Sequence, residues 1–147
     1  MILVLFGQPH SGKSTLAKYL KAYLKDSNIV YSHVDGDELR LLFKNKDYSK
    51  EGRIKNLQKA SDIAHYLSSV TQVVILSLVY PYKEAREYLN ELNSEVMWVY
   101  LHYEGERGRE EYHVEDFDKP EDADLALDTS SENEIVSALK ILKLITK

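Results

Sequence analysis

The chain has 147 residues, of which 44% are hydrophobic and 29% are charged, and its formal net charge is −5. This composition excludes a wholly disordered chain, and the absence of cysteine excludes disulfides, thiolate zinc sites and a cysteine nucleophile. The negative charge argues against a nucleic-acid partner, which needs many cationic phosphate contacts, and the longest apolar run, residues 73–79, is far below the roughly 20 residues of a membrane helix.

Short apolar segments alternate with segments of helical period along the chain. The apolar segments predict strands at residues 2–6, 29–34, 73–79, 96–101 and 123–127. One-sided leucine and alanine patterns predict helices at residues 12–25, 52–70 and 83–92, and a last helix after a capping box of Ser131 and Glu134. Because helices separate the strands, we expect one α/β domain, residues 1–147, with an about five-stranded parallel sheet in a three-layer sandwich.

Residues 7–15 join the first predicted strand to the first predicted helix. They read Gly7-Gln8-Pro9-His10-Ser11-Gly12-Lys13-Ser14-Thr15 and fit the phosphate-loop pattern G-x-x-x-x-G-K-[ST]. In such a loop, backbone N–H groups surround the phosphates, Lys13 reaches the β- and γ-phosphates, and the Ser14 hydroxyl binds Mg²⁺. We therefore predict that this whole segment binds ATP with Mg²⁺ in a P-loop kinase-like fold. His10 either touches the terminal phosphate or faces solvent.

Other classes of phosphate-loop protein have less support. A GTP-driven switch needs N-K-x-D after a later strand, whereas Asn45-Lys46-Asp47 is too short and too early, and the third predicted strand lacks the terminal acid of motor and transporter ATPases. Instead, Asp35 and Asp37 follow the second strand, at the edge where α/β sheets bind ligands. They can supply a Mg²⁺ ligand, Asp35, and a base for an acceptor hydroxyl, Asp37. The alternative is an ordinary turn rich in Asp and Gly.

Further motifs follow in a fixed order. Residues 35–40 fit D-G-D-x-x-R, residues 48–56 are similar to F-S-x-x-[DE]-R-x-x-N, residues 77–83 fit S-x-x-x-P-Y-[RK], residues 113–117 are similar to G-I-D-D-x-Y, and residues 127–129 read L-D-T. In this series, over about residues 3–130, the chain resembles the adenylyl-sulfate kinases. These enzymes phosphorylate the 3′-hydroxyl of adenosine 5′-phosphosulfate.

The resemblance implies roles for individual residues. Arg40, Arg53 and Asn56 match positions that hold the acceptor nucleotide, and guanidinium groups pair well with its phosphosulfate. Tyr48 matches an aromatic side chain that stacks on the acceptor's adenine, and Asp37 matches the carboxylate that orients or deprotonates the hydroxyl. The resemblance thus implies an acceptor set of Arg40, Tyr48, Arg53, Asn56, Ser77 and Tyr82.

The lid-like segment, about residues 103–122, departs from the family pattern. The family has a basic lid, whereas residues 104–124 of this chain hold ten acidic and three basic residues. Arg107 or Arg109 matches the lid arginine that faces ATP, but the lid lysine has no counterpart. We therefore expect an altered acceptor site.

These features predict ATP-dependent phosphoryl transfer to a hydroxyl of a small, anionic, nucleotide-like acceptor, with adenosine 5′-phosphosulfate as the first candidate. A kinase of another nucleotide derivative, such as a cytidine diphospho compound, and a regulatory nucleotide-binding protein without turnover are the alternatives. Lys13, Asp35 and Asp37 would carry the chemistry, and Ser14 and Asp35 would hold Mg²⁺. We expect a cytoplasmic protein with no nucleic-acid or membrane partner, and the sequence allows a homodimer.

Overall fold

A computed structural model describes residues 1–105, 107 and 113–146. Strands and helices alternate along these residues. Their order is β1 (Ile2–Phe6), α1 (Lys13–Asp26), β2 (Tyr31–Asp35), α2 (Gly36–Phe43), α3 (Lys50–Leu67), β3 (Val73–Leu78), α4 (Lys83–Leu92), β4 (Val96–His102), β5 (Leu125–Asp128) and α5 (Glu134–Ile145).

The strands form one parallel sheet with the order β2-β3-β1-β4-β5. Strand β1 lies at its centre, and all five of its residues are fully buried, as its uninterrupted apolar sequence predicts. All carboxyl ends of the parallel strands point to the same edge of the sheet. The phosphate loop therefore leaves the centre of that edge.

Two apolar clusters cover the two faces of the sheet. On one face, Val4 and Phe6 pack with residues of α2, α3 and α4. On the other face, Leu3 and Leu5 pack with residues of α1 and α5. This three-layer arrangement confirms the predicted α/β fold class.

Helix α2 has no counterpart among the predicted helices. Its first turn is stabilised by Asp35, whose side chain accepts hydrogen bonds from the backbone N–H groups of Asp37 and Glu38. Leu39 is its buried hydrophobic residue, whereas Leu41 and Leu42 are 80% and 73% exposed. The helix has only eight residues, so its apolar pattern covers little more than two turns and is a weak signal in the sequence.

The predicted capping box before the last helix is wrong. The N-cap of α5 is Asn133, whose side chain accepts from the backbone N–H of Ile135. Glu134 is the first helical residue and is therefore too early to complete a box with Ser131. Ser131 instead belongs to the turn after β5, where its backbone N–H donates to the carbonyl of Asp128.

The described helices are all too short or too polar to cross a membrane.

Candidate functional site

A cleft of about 680 Å³ opens at the carboxyl ends of the central strands. Three groups of sequence-predicted residues with different chemistry are part of its lining. They are the phosphate loop and the start of α1 (Pro9, His10, Gly12, Lys13, Ser14, Thr15), the carboxyl ends of β2 and β3 with the start of α2 (Asp35, Gly36, Asp37, Ser77), and the surface formed by α2, α3 and their connecting loop (Arg40, Tyr48, Arg53, Asn56). The fold thus brings most of the sequence-predicted site residues together.

The phosphate loop folds tightly at its two glycines. Gly7 (φ 153°) lies against β4, and a Cβ there would be 2.2 Å from the carbonyl oxygen of Leu101. Gly12 has a φ of 103°, in the left-handed region that favours glycine. It is also the N-cap of α1, so no capping side chain covers the first N–H groups of that helix. Uncovered N–H groups at a helix N-terminus suit an anion.

Lys13 points back across this loop. Its Nζ donates to the carbonyl oxygens of Gly7, at 3.1 Å, and Gln8, at 2.8 Å, and contacts Oγ of Ser11 at 3.3 Å. The positive charge is therefore held inside the curve of the loop, at the wall of the cleft. This placement suits contact with a polyphosphate.

Asp35 is fixed through both carboxylate oxygens. Oδ2 accepts from the backbone N–H groups of Asp37, at 3.1 Å, and Glu38, at 3.2 Å. Oδ1 accepts from the Ser77 hydroxyl at 3.0 Å. Ser77 in turn lies 2.7 Å from Nε2 of His33, a half-buried residue of β2. Burial and, next, the charge of Lys21 hold the pKa of the His33 imidazole below its usual value.

The Tyr48 ring lies beside two guanidinium groups. The Cζ atom of Arg40 is 4.1 Å from the ring centroid and that of Arg53 is 5.7 Å away. Arg40 also donates through Nη1 to three oxygen atoms of Asn45 and Asp47, and Arg53 donates through Nε to the carbonyl of Tyr48. Burial lowers the pKa of the Arg40 guanidinium below its usual value. The result is a cationic surface with an aromatic ring at the cleft, a combination that suits an aromatic base and an anionic group.

Gly52 is one departure from the family motif, and its close contact with the preceding loop explains the glycine. A Cβ at this position would lie 2.3 to 2.5 Å from atoms of Asp47, because the loop before α3 folds back onto the first turn of that helix. Asn45 holds the same fold through a bond from its side-chain amide to the carbonyl of Gly52. Any side chain at position 52 would therefore clash with the loop that carries Tyr48.

Asn56 places a buried polar side chain at the cleft. Its side chain is 4% exposed, and it lines the cleft from α3. Within the described residues, its Oδ1 atom has no hydrogen-bond partner. A buried polar atom that makes no hydrogen bond costs about 1–3 kcal/mol. This orphaned atom is therefore evidence for a ligand that supplies the missing bond.

Contacts from the second half of the chain hold the phosphate loop, and the sequence did not predict them. The Gln8 side-chain amide exchanges two hydrogen bonds with the backbone of Val114, at 2.8 and 2.9 Å. The Tyr103 hydroxyl donates to the Pro9 carbonyl. Arg107 donates to the His10 carbonyl at 3.0 Å, and Nδ1 of His10 lies 2.8 Å from the Arg107 carbonyl. No sequence period marks such long-range pairs.

The His10 side chain lies at the cleft and contacts the segment after β4. Its imidazole is engaged with Arg107, and both residues line the cleft beside the loop. The side chain of Gln8 is engaged with Val114, as described above, so ATP binding at Gln8 stays a prediction for its backbone N–H. Arg107 also donates to Oγ1 of Thr129, and Thr129 donates to the carbonyl of Ser11.

A few of the predicted site residues do not line the cleft. Gly7, Gln8 and Ser11 belong to the phosphate loop but do not line the cleft. Tyr82 is 3% exposed and packs in the apolar core at the start of α4, so its assignment to the acceptor lacks structural support. Arg109 lies outside the described residues. The sequence analysis missed Glu132, Glu134 and Ser137, which line the cleft around the start of α5 and carry no motif.

The oxygen donors in the cleft suit Mg²⁺. The Ser14 hydroxyl and the Asp35 carboxylate both line it, and Mg²⁺ prefers one or two protein oxygens together with phosphate oxygens and water. Within the described residues, no cluster of three or more His, Asp or Glu side chains forms a metal cage of protein ligands alone. The donor set therefore fits an ion that arrives with a nucleotide.

Comparisons with known proteins agree with this geometry. The sequence model of the family described as adenylylsulphate kinase matches residues 1–112. An adenylyl-sulfate kinase from Halothermothrix orenii is 29% identical over 96 residues, which cover 65% of this chain and 52% of that protein. This chain therefore spans about half the length of that curated relative.

Two further comparisons cover almost the whole chain. A cytidine diphosphoramidate kinase from Campylobacter jejuni is 27% identical over 161 aligned positions, which cover 96% of this chain and 93% of that protein. The structure of an APS kinase from Mycobacterium tuberculosis in complex with AMPPNP and APS superposes with a TM-score of 0.86 at 18% identity, covering 99% of this chain and 97% of that one. This superposition confirms the P-loop kinase-like fold.

Proposed function

The chain belongs to the adenylylsulphate kinase family, and on that premise we propose that it transfers the γ-phosphoryl group of ATP to a hydroxyl group of a small, anionic, nucleotide-like acceptor. One observation carries the proposal: a phosphate loop, a pair of carboxylates and a cationic aromatic surface face the same cleft. Phosphoryl transfer requires a donor site, a group that orients the attacking hydroxyl, and an acceptor site.

Each group has a role in the proposed reaction. Lys13 and the N–H groups at the start of α1 neutralise charge on the phosphates. Asp37 holds the acceptor hydroxyl and accepts its proton as the new bond to phosphorus forms. Mg²⁺, when bound, neutralises charge on the transferred group, and Ser14 and Asp35 are the side chains that would hold it. Arg107 lies beside the loop, where its charge favours binding of the triphosphate.

Adenosine 5′-phosphosulfate is the first candidate for the acceptor. Tyr48 is the aromatic side chain that the resemblance assigns to the adenine, Arg40 and Arg53 offer charge for the phosphosulfate, and Asn56 offers a buried hydrogen-bonding group. The arginine and asparagine positions are those that the family motif assigns to the acceptor.

A cytidine 5′-diphosphoramidate is the second candidate, and a specific observation favours it. The cytidine diphosphoramidate kinase aligns with almost the full length of this chain, whereas the adenylyl-sulfate kinase aligns with about two thirds of it. Gly52 and the acidic segment from residue 104 onward also depart from the adenylyl-sulfate kinase pattern. Both acceptors combine an aromatic base with an anionic tail, so the same cationic surface suits either.

The proposed function is tested by ADP release with MgATP and a panel of acceptors: adenosine 5′-phosphosulfate, cytidine 5′-diphosphoramidate, AMP and CMP. We expect acceptor-dependent ADP release at least tenfold above the rate with MgATP alone for one of the first two compounds. The product is identified by mass spectrometry. If ATP binds but none of the panel stimulates ADP release, the kinase proposal is wrong, and a nucleotide-binding protein without turnover is favoured.

Arg53→Ala is expected to lower kcat/KM for the acceptor more than tenfold and to change the ATP KM less than twofold. Loss of one partner in a charged contact costs about 2–5 kcal/mol when the other is left unpaired. Arg40→Ala is expected to do the same and also to lower the Tm, because Arg40 holds the loop between α2 and α3. Steady-state kinetics with each substrate varied in turn measure both effects.

Lys55→Ala is the matched control, since Lys55 is an exposed cation on the same helix that pairs with Glu51 and does not line the cleft. We expect wild-type kinetics from it. If both arginine variants behave like this control with every acceptor that turns over, the acceptor does not bind at the Tyr48 surface.

Three further predictions accompany the proposed function. We expect a cytoplasmic location, where ATP and small nucleotides are available. We also expect residues 1–147 to fold as one domain. A homodimer is an open prediction, which light scattering of the purified chain measures.

A further inference from the structure

His33 lies behind the cleft rather than on its wall. It precedes Asp35 by two residues on β2, so the two side chains share one face of the sheet. Ser77 of β3 is the register partner of Asp35 and lies between the two side chains. Nε2 of His33 is 2.7 Å from the Ser77 Oγ, and this Oγ is 3.0 Å from Oδ1 of Asp35.

The direction of the hydrogen bonds follows from the chemistry of the three groups. An ionised carboxylate only accepts hydrogen bonds, and a serine hydroxyl has one proton to donate. Ser77 therefore gives its proton to Asp35, and it can only accept from His33. The nitrogen that faces Ser77 must consequently carry a hydrogen, which fixes the His33 imidazole as the Nε2–H tautomer.

We propose that His33 is a positioning residue whose Nε2–H holds the Ser77 hydroxyl in the orientation that donates to Asp35. In this role His33 neither binds a metal ion nor acts as a base. The role in turnover rests on the proposed function, because it matters there only if Asp35 serves the phosphoryl-transfer site.

The arrangement constrains Asp35 from two sides. The N–H groups at the start of α2 hold Oδ2, and the chain from His33 through Ser77 holds Oδ1. Without the His33 donor, the Ser77 hydroxyl is free to rotate away from Asp35. The carboxylate then keeps only its bonds to the start of α2 and has a wider range of orientations at the cleft wall.

The first test reads the tautomer directly and needs no acceptor. Long-range ¹H–¹⁵N NMR correlations of His33 in the wild-type protein at pH 8 are expected to show a protonated Nε2 and an unprotonated Nδ1. In Ser77→Ala, which removes the acceptor of that hydrogen bond, we expect the preference for this tautomer to fall. A wild-type Nδ1–H tautomer overturns the proposal, because Nε2 would then accept the proton that Ser77 is meant to give to Asp35.

The second test separates positioning from packing. His33→Leu removes the donor and is expected to lower kcat about tenfold while changing the ATP KM less than twofold. His33→Gln, whose amide nitrogen can take the place of Nε2, is expected to stay within about threefold of the wild-type kcat. Thermal unfolding of both variants checks that the fold is intact. Equal losses in the two variants at an unchanged Tm overturn the proposal.

A double-mutant cycle completes the test. If His33 acts through Ser77, the double variant His33→Leu/Ser77→Ala should have a kcat less than about twofold below that of Ser77→Ala alone. If the two residues act independently, the fold-losses in kcat of the single variants multiply in the double variant. Multiplied losses overturn the proposal. If the proposed function is wrong, the wild-type protein turns over no acceptor at all. The tautomer measurement stays valid in that case, because it needs no acceptor.

Discussion

Lys13→Ala is expected to abolish acceptor-dependent ADP release, with a loss of at least about 10³-fold in kcat. A single arginine that stabilises the negative charge of the transferred group is worth about 10³ to 10⁵ in kcat in other phosphoryl transfers, and we expect a loss at the lower end of this range for the lysine. The Lys13 ammonium is bound by carbonyl oxygens of its own loop, at 2.8 and 3.1 Å, so it is already in place before a nucleotide arrives. Removal of the ammonium takes away a cation that neutralises the negative charge of the transition state.

The fold should survive this substitution. Lys13 is the first residue of α1 and lies outside the apolar clusters, and alanine is a good helix former. We therefore expect the Tm of Lys13→Ala to lie within a few degrees of the wild-type value. Lys18→Ala, on an exposed position of the same helix, is the matched control and should turn over normally. Near wild-type turnover by Lys13→Ala would show that residues 7–15 do not act as a phosphate loop.

The sheet could be predicted from the sequence because its central strands are buried on both faces. Each residue of β1 is fully buried, and five consecutive apolar residues are the direct consequence. The edge of the sheet was harder to predict. The strand expected at residues 123–127 is Leu125–Asp128, because Asp124 uses its side chain to accept from the backbone N–H of Trp98 at 2.7 Å.

The phosphate loop and the carboxylates at the end of β2 were also predictable, since both depend on local sequence. A loop that wraps phosphate needs its glycines and lysine at fixed spacing, and this spacing is visible in one segment. Asp35 and Asp37 likewise follow a strand directly. Their prediction required only the rule that ligands bind at the carboxyl ends of parallel strands.

The supports of the site could not be predicted, because they join residues far apart in the chain. Gln8 and Val114 are 106 residues apart, and His33 and Ser77 are 44 apart. Each pair depends on the register of neighbouring segments, and no local pattern encodes it. A histidine inside a strand therefore looks structural in the sequence, whereas the fold brings it to the residue that orients Asp35.

The conformation of the loop between α2 and α3 was hidden for a related reason. Arg40 and Arg53 were predicted to bind the acceptor, but both also contact Tyr48 and its loop. A motif gives residue types and their order, but it does not show which charged side chains already make hydrogen bonds within the protein. Arg40 makes three hydrogen bonds to this loop and Arg53 makes one, so Arg40→Ala is expected to lower the Tm more, although both variants share an effect on the acceptor.

Asp37→Asn is expected to lower kcat about 10²- to 10⁴-fold, the range for a positioned acid or base. Asp37 is exposed in the first turn of α2 and lines the cleft, and its carboxylate makes no hydrogen bond to the described residues. Asparagine keeps the shape of the side chain and the backbone N–H that holds Asp35. The substitution therefore removes the negative charge and the proton acceptor while it leaves the neighbouring carboxylate in place.

Glu38→Gln is the matched control for this substitution. Glu38 is the next residue of the same helical turn, is also exposed, and also donates its backbone N–H to Asp35, but it does not line the cleft. Its kcat should stay within about twofold of the wild-type value. Steady-state kinetics at saturating acceptor then decide the role of Asp37, because a base affects kcat with little change in the ATP KM. A loss confined to ATP binding would instead make Asp37 a ligand of the nucleotide-bound Mg²⁺, and the hydroxyl would need another partner in the cleft.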